Sequence, residues 1–264
     1  MKKLDVMKAA MEAHALTLKA DLESGYTPPK GEDRTCLSYW FPKIVGLVPT
    51  PRTEIVRTDV ELWRLLEGET PDRYYGFLDR LTEAALRISA LVGDGLIAEF
   101  IRTGHTSGKH NWSRCCYLTH DIDGHVRALV EFSAMAGFFG LPTEVWAIRE
   151  YLPVEPLFRC TAYGGMPVVP ERRYFVDGGE LLYSIPYWPE QALAEGEPDD
   201  VDWREKLPVV QQEFGPEAEA MARKCGAACG GKWSVDVLLT RDGYYVTDMA
   251  EAAQSWGWKS RETE

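Results

Sequence analysis

"KWSVDVLLTRDGYYVTDMA", residues 232–250, consists of two runs of strand-forming residues joined by Arg-Asp-Gly. Short runs of this kind on either side of a glycine-containing turn predict a β-hairpin. A three-residue loop at 241–243, with its glycine in the left-handed conformation, makes Asp236 face Asp248 across the hairpin. A two-residue loop would place Asp248 opposite Val237 instead. The three-residue loop is therefore the one that brings both carboxylates to one face.

Two facing aspartates indicate a cation between them. Directly opposed side chains lie about 5 Å apart, where two carboxylates repel unless a cation neutralises them. The pair predicts a magnesium site with Glu251 or Gln254 as third ligand. The alternative is two solvated aspartates on an exposed sheet face. The same loop gives the other face of the hairpin these largely apolar residues: Val235, Val237, Leu239, Tyr245, Thr247 and Met249.

A second strand precedes the hairpin, "ERRYFVDGGELLYSIPYW" at 171–188, and it carries arginines among apolar residues. Alternation along a strand puts Glu171, Arg173 and Phe175 on one face and Arg172, Tyr174 and Val176 on the other. A bound anion such as a triphosphate would explain buried arginines, because guanidinium is always charged and binds phosphate through two hydrogen bonds. A salt bridge, either with Glu171 or across the strands, explains them equally well.

The segment "AIREYLP", residues 147–153, is a strand whose alternation breaks at Arg149 and Glu150. A nucleotide base commonly binds where a strand's backbone becomes free, between apolar side chains and a few polar groups that orient it. The alternative is an ordinary surface ion pair.

A glycine-containing loop, "RTGHTSGKH" at 102–110, follows the apolar run "LIAEFI". A P-loop requires G-x-x-x-x-G-K-[ST] at the start of a helix. Here Gly104 and Gly108 are one residue too close, His110 follows Lys109, and "SRCCYL" after them predicts a second strand. We therefore expect a loop between two antiparallel strands, untethered by any following helix, as a mobile flap that carries Lys109.

The composition limits the classes of protein. The chain has 264 residues, 45% of them hydrophobic, and a net charge of −12. This charge argues against nucleic-acid and membrane-surface partners, which require a positive face. Without a recognisable signal peptide or transmembrane run, we expect a cytoplasmic location. The six cysteines lack zinc-ligand spacing and are predicted to be buried free thiols.

The remaining elements divide the chain into segments. Helices are predicted at 3–24, at 71–91 and at 216–229. A further short helix is predicted after a Thr58–Glu61 capping box and ends at Gly68. The segment 36–56 predicts strand, turn, strand, and several strands follow one another from residue 143. The domains expected are 1–95, an N-terminal segment with the first part of a subdomain, 96–142, a phosphate-flap subdomain, and 143–264, a C-terminal subdomain with the acidic hairpin.

Four of these motifs, in this order, resemble the ATP-grasp superfamily. They are the basic flap "FIRTGHTSGKH", with Arg102 where lysine is usual, the hinge strand "REYL", the arginine strand "ERRYFVDGGEL", and the hairpin "SVDVLLTRDGYYVTDMA". The resemblance implies an α+β fold in which two α+β subdomains clasp ATP between antiparallel sheets. It covers roughly residues 40 to 256, and no separate N-terminal substrate domain is evident.

The resemblance also implies roles for individual residues. The ATP-binding set is Arg102, Lys109, Arg149, Glu150, Tyr151, Leu152 and Arg173, of which Lys109 and Arg173 are the catalytic residues; the magnesium ligands are Asp236, Asp248 and Glu251. One departure is Ala250, where the superfamily usually has asparagine. Either Glu251 replaces that asparagine, or only one metal ion is bound tightly, or ATP is bound without ordinary turnover.

Two functions follow from the resemblance. The first is an ATP-dependent ligase that joins an unidentified carboxylate to an amine, with ATP and Mg²⁺ as cofactors. It needs no protein nucleophile, which suits a sequence without a Ser-His-Asp or Cys-His arrangement. One of His105, His110 and His120 could act in acid–base chemistry, although ordinary surface or capping histidines explain them too. The second is an ATP-binding assembly chaperone, similar to those of eukaryotic translation initiation. Nucleotidyl transfer is a third and weaker alternative.

Overall fold

The computed structural model of the protein describes residues 33–92, 99–118, 121–136 and 140–259. The helix predicted at 3–24 lies outside the described residues. The fold is α+β, as expected, with helices packed on antiparallel sheets. Among the described residues, no helix has the length and apolar character that crossing a bilayer requires.

The described residues form two compact units. The first takes those among 1–33, 54–108 and 114–148, and the second those among 34–53, 109–113 and 149–264. The passage between residues 148 and 149 lies close to the predicted boundary at 143. The segment 34–53, which we assigned to the N-terminal part, belongs to the second unit.

The first unit is built on a four-stranded sheet of order β1-β4-β2-β3. Its strands are β1 (Thr53–Arg57), β2 (Glu99–Thr103), β3 (Tyr117–Leu118) and β4 (Val145–Glu150). Its helices are α2 (Tyr74–Val92), α3 (Trp112–Cys115), which starts in the second unit, and α4 (Ile122–Met135). Helix α2 confirms the prediction at 71–91, and it buries an apolar stripe at helical spacing: Phe77, Leu81, Ala84, Ala85 and Ile88.

The second unit is built on an antiparallel sheet of order β10-β9-β7-β8. Its strands are β7 (Glu171–Asp177), β8 (Glu180–Pro186), β9 (Lys232–Thr240) and β10 (Gly243–Glu251); β5 (Phe158–Cys160) and β6 (Met166–Val168) form a separate pair. Its helices are α1 (Leu37–Ile44), α5 (Glu190–Glu195), α6 (Leu207–Val210) and α7 (Pro216–Cys229), the last as predicted. Short 3₁₀ turns occupy Lys109–Asn111, Trp203–Lys206 and Ala252–Gln254.

Helix α7 lies very close to the turn between β7 and β8. A Cβ built on Gly226 would come within 2.0 Å of the carbonyl oxygen of Gly178, so only glycine permits this approach.

The prediction of a strand at the start of the segment 36–56 is wrong. Residues 37–44 form helix α1, with Leu37, Trp40, Phe41 and Ile44 buried at spacings of three and four residues. This is the period of an amphipathic helix, which the aromatic residues and Pro42 obscure. The second predicted strand of that segment is confirmed as β1.

The helix predicted after Thr58 is a 3₁₀ helix, Leu62–Glu67, and the expected capping box is absent. The Thr58 hydroxyl accepts a hydrogen bond from Val60 N at 3.1 Å, and the side chain of Glu61 makes no cap. The helix does end at Gly68, which has a φ of 82°.

The hairpin pairs Asp236 with Asp248, but not through the predicted loop. Its loop has two residues, 241 and 242, because Gly243 pairs with Thr240. That register alone would leave the two aspartates unpaired. A β-bulge at Thr247 shifts it by one residue, so that Asp248 pairs with Asp236.

The bulge also changes the faces of β10. Val246 pairs with Val237 and is fully buried, whereas Tyr245 pairs with Leu238 on the face of Asp236. Tyr245 and Thr247 therefore do not lie on the apolar face where we expected them.

All six cysteines are buried free thiols, as predicted. Burial raises the pKa of the Cys225 thiol to about 12 and those of Cys115 and Cys160 to about 11. The thiols of Cys115, Cys160 and Cys225 are therefore protonated near neutral pH.

Candidate functional site

Strands β7 and β9 bring charged residues together on one face of the second unit's sheet. Arg173 pairs with Asp236, and Glu171 pairs with Leu238, two residues further along β9. Arg172 lies on the opposite face, where its guanidinium contacts the Ser184 hydroxyl and two main-chain carbonyls. The predicted alternation along this strand is thus confirmed.

Arg173 and Asp236 form a two-pronged salt bridge. Arg173 Nε donates to one Asp236 carboxylate oxygen at 2.7 Å, and Nη2 donates to the other at 2.8 Å. Nη1 donates to the carbonyl of Trp256 at 3.3 Å. Burial would lower the pKa of Arg173, but Asp236 raises it above its ordinary value. The cross-strand salt bridge, one of the explanations left open for these arginines, therefore exists.

Lys109 lies at the same cluster. Its Nζ is 3.4 Å from Glu171 Oε1 and 3.3 Å from the hydroxyl of Tyr187. Burial would lower the pKa of Lys109, but Glu171 and, more weakly, Tyr187, Asp236 and Asp248 raise it. Burial raises the pKa of Glu171, and Lys109 opposes that shift. The cluster thus contains two cations and three carboxylates.

The loop before Lys109 is held by hydrogen bonds of its own and is followed by a helix, contrary to the expectation of an untethered flap. The Thr103 hydroxyl accepts hydrogen bonds from the amides of His105 and Thr106, and Thr103 N donates to the Thr106 carbonyl. A 3₁₀ turn begins directly at Lys109, and helix α3 follows it, so "SRCCYL" contributes only Tyr117–Leu118 as strand. Strands β2 and β3 are antiparallel, as predicted.

The structure brings Asp236 and Asp248 together but not Glu251. Glu251 pairs with Trp233 on the other face of the hairpin, and its carboxylate forms an ion pair with Arg34 at 2.8 Å. Among the described residues, no three His, Cys, Asp or Glu side chains form a group suited to a metal ion.

The two aspartates nevertheless fit magnesium by donor type. Carboxylate oxygens are the ligands that Mg²⁺ prefers, and two of them with substrate phosphates are enough. Both oxygens of Asp236 accept from Arg173, and one oxygen of Asp248 accepts from Met249 N at 3.0 Å. The position of the expected asparagine, Ala250, pairs with Ser234 and offers no ligand.

The predicted hinge, residues 149–152, begins at the end of β4 and lies within the second unit. Glu150 N donates to the Arg52 carbonyl at 2.8 Å, and its carboxylate accepts from Arg52 N at 3.1 Å. The carbonyl of Leu152 accepts from Val154 N, and the Tyr151 ring meets that of Trp112 edge-on at 6.2 Å.

Arg149 is buried and supports the bulge of β10. Its Nη1 donates to the carbonyl of Thr247 at 2.5 Å, and its Nε donates to the Thr53 hydroxyl at 3.1 Å. Arg149 is therefore not part of a surface ion pair, which was the alternative for this residue. Arg102 belongs to the first unit, where it is buried and its Nε donates to the Thr103 carbonyl.

No protein-family model matches this chain, and no curated protein matches its sequence. Solved structures do match it. Cdc123 from Schizosaccharomyces pombe is 15% identical, with a TM-score of 0.48 over 88% of this chain and 90% of the other. The ATP-grasp ligase PsnB, complexed with precursor peptide PsnA2 and AMPPNP, is 11% identical, with a TM-score of 0.42 over 84% of this chain and 50% of the other. D-alanine–D-alanine ligase from Bacillus anthracis is 11% identical, with a TM-score of 0.41 over 82% and 56%.

This chain spans about half the length of the two ligase chains. Because these TM-scores are below 0.5, the superpositions assign no activity to it. The elements themselves follow the order that the motifs require: the basic loop after β2, the hinge after β4, the arginine strand β7, and the closing hairpin of β9 and β10. This order of elements agrees with the α+β fold that the sequence resemblance implies.

Two residues of this charged cluster were missed in the sequence. Tyr187 follows β8 and contacts Lys109, and Thr247 donates from its hydroxyl to Glu171 Oε1 at 3.2 Å. The signal for Tyr187 is its position directly after the strand that pairs with β7. A bulge leaves no comparable mark at Thr247, because threonine is an ordinary strand residue.

Of the three histidines considered for acid–base chemistry, the two in the described part of the chain make their contacts outside the cluster. His110 stacks on Tyr163, with ring centroids 4.5 Å apart, and burial lowers its pKa, so it is neutral near pH 7. His105 contacts Asp33 within the first unit. His120 lies outside the described residues.

Proposed function

We propose that this protein is an ATP-dependent ligase that joins a carboxylate to an amine, such as an amino acid or peptide. A carboxylate oxygen of the first substrate attacks the γ-phosphorus of ATP, which gives an acyl phosphate and ADP. The amine nitrogen then attacks the acyl carbon, phosphate leaves with the bonding electrons, and the amine loses a proton. The observation that carries this proposal is the single sheet face with two cations, Lys109 and Arg173, beside the paired Asp236 and Asp248.

Lys109 and Arg173 would bind the phosphate oxygens and compensate their charge. Both side chains keep some exposure, 17% and 14%, so a ligand can reach them. Catalysis of phosphoryl transfer is mostly positioning and charge compensation, which these two cations can provide without a protein nucleophile. Arg102 remains a proposed phosphate ligand on the strength of the sequence motif.

Magnesium, when bound, supplies further compensation of the charge on the phosphate oxygens. Asp236 and Asp248 would hold it, and Glu251 is the weaker proposal because its carboxylate pairs with Arg34. The segment of Arg149, Glu150, Tyr151 and Leu152 would hold the adenine end. The Arg149 guanidinium itself donates to the Thr247 carbonyl and supports the bulge of β10.

An ATP-binding assembly chaperone with little turnover is the second candidate. The observation that favours it is the small metal-binding set: Ala250 stands at the asparagine position, and Asp236 is fully engaged by Arg173. Such a protein would need ATP as a ligand and not as a substrate.

One experiment separates these functions. ADP release is measured with MgATP against pools of amino acids and peptides, beside calorimetric binding of MgATP to the protein alone. Arg223→Met, at a half-exposed side chain outside the cluster, serves as the control variant. Release that depends on both a carboxylate and an amine supports the ligase. Binding without release in any pool supports the chaperone. If MgATP neither binds nor raises the melting temperature, both functions are refuted. At a hundredfold excess of MgATP over its Kd, linkage predicts a stabilisation of about 2.7 kcal/mol.

A further inference from the structure

Tyr187 lies against both cations of the candidate site. The Lys109 Nζ is 4.4 Å from the centroid of its ring and 3.3 Å from its hydroxyl. The Arg173 Cζ is 4.9 Å from the same centroid. Both distances fall within the range of about 6 Å at which a ring attracts a cation. None of the four motifs assigns a role to this tyrosine.

The position of this ring is set by groups other than the cations. Tyr187 follows Pro186 at the end of β8, and its amide donates to the Glu171 carbonyl at 3.0 Å. The ring meets Trp188 edge-on at 4.8 Å and packs on the apolar cluster around Phe158. A side chain fixed in this way can impose a position on its flexible neighbours.

The cations need such a support. Two like charges repel, and their carboxylate partners, Glu171 and Asp236, lie on different strands and hold each cation separately. The face of an aromatic ring carries negative charge density, so it attracts an ammonium and a guanidinium alike. The Tyr187 ring touches both cations.

We propose that Tyr187 is a positioning residue, which holds the Lys109 ammonium and the Arg173 guanidinium side by side for an anionic phosphoryl chain. The inference rests on the proposed binding of ATP and deepens it. The ring sets the spacing of the two positive charges before a ligand arrives, so binding needs less reorganisation of these flexible side chains.

The test is calorimetric binding of MgATP and of inorganic tripolyphosphate to the parent and to two variants. Tyr187→Leu removes the ring and should weaken both ligands about tenfold, since two cation–ring contacts are lost. Tyr187→Phe keeps the ring and should stay within about threefold of the parent. Tyr183 lies on the same sheet, where it contacts Phe175 and Trp258, and Tyr183→Leu and Tyr183→Phe are the matched controls.

Graded fluorination of the ring separates positioning from folding. Phenylalanine with increasing fluorine content at position 187 keeps the shape but removes the negative face, so affinity for tripolyphosphate should fall at each step while the urea midpoint stays constant. This series decides the matter even if Tyr187→Leu does not fold. Equal affinity along the series would overturn the role of Tyr187 while leaving ATP binding by the parent intact. A parent that binds neither ligand would overturn the proposed function and this inference with it.

Discussion

Replacing Arg173 by methionine tests the charged cluster most directly. The substitution keeps much of the aliphatic length of the side chain but leaves Asp236, which is 3% exposed, without its two hydrogen-bond donors. Loss of one partner from a buried ion pair costs about 3–5 kcal/mol, because the remaining charge is left uncompensated. Lys109 is near enough to affect Asp236, so we expect the lower half of that range.

Two comparisons sharpen the measurement by urea unfolding. Asp236→Asn should cost less, about 1–3 kcal/mol, because Arg173 keeps the Trp256 carbonyl and the Tyr187 ring. Arg223→Met breaks a contact of nearly the same length, 2.8 Å to Glu219, but between half-exposed side chains on a helix. It should cost about 0.5 kcal/mol or less.

The double variant Arg173→Met/Asp236→Asn completes a thermodynamic cycle. Its cost should fall well short of the sum of the two single costs, since each single change already breaks the same pair. Additive costs, or a loss below about 1 kcal/mol for Arg173→Met, would show that this salt bridge contributes little to the folded state.

Three further outcomes are expected. Lys109→Met should lower the free energy of unfolding, measured in urea, more at pH 8 than at pH 5. The pKa of Glu171 is raised on folding, so its ionisation destabilises the fold as pH rises, and Lys109 limits that loss of stability. An equal cost of the substitution at both pH values would contradict this. Gly108→Ala should cost about 2–4 kcal/mol in urea unfolding, because its φ is 60° and a Cβ would lie 2.8 Å from Cys115 Cβ. Gly165→Ala, where φ is 77° and the space around a Cβ is open, should cost about 1–2 kcal/mol. Equal costs for the two substitutions would remove the steric argument. Asp248→Asn should leave the melting temperature unchanged or slightly raised while weakening MgATP binding, measured by calorimetry, and unchanged binding would exclude Asp248 as a ligand.

The sequence predicted most elements where the hydrophobic period agreed with residues that favour the start or the end of an element. Helix α7 begins at Pro216 and the 3₁₀ helix ends at Gly68, both at residues that favour those positions. Helix α1 was missed because the helix is only eight residues long and contains a proline, so its apolar period is hard to recognise. Helix α4, which Asp121 caps through the amide of Gly124, was not predicted either. Short periodic segments carry too few residues to separate a helix from a strand.

The candidate site was predictable where its residues alternate along a strand. The opposite faces of Glu171–Arg173 and Arg172 follow from the period of two, and both were assigned correctly. The contacts of Lys109 with Glu171 and Tyr187 were not, because they join residues 62 and 78 positions apart. Because Lys109 contacts Glu171 and Tyr187, its loss should affect stability as well as ligand binding.

The pairing of Asp236 and Asp248 was predicted from a loop that the protein does not have. The chain uses a tighter two-residue loop and then inserts Thr247, so the two deviations cancel and the carboxylates still meet. Both solutions satisfy the local rules for hairpins, and what selects between them lies elsewhere in the chain. Arg149 donates to the Thr247 carbonyl, and the Thr247 hydroxyl reaches Glu171. An arginine at the end of β4 and a glutamate on β7 thus hold the bulge that aligns the two aspartates, which explains why these buried charged residues lie beside the hairpin.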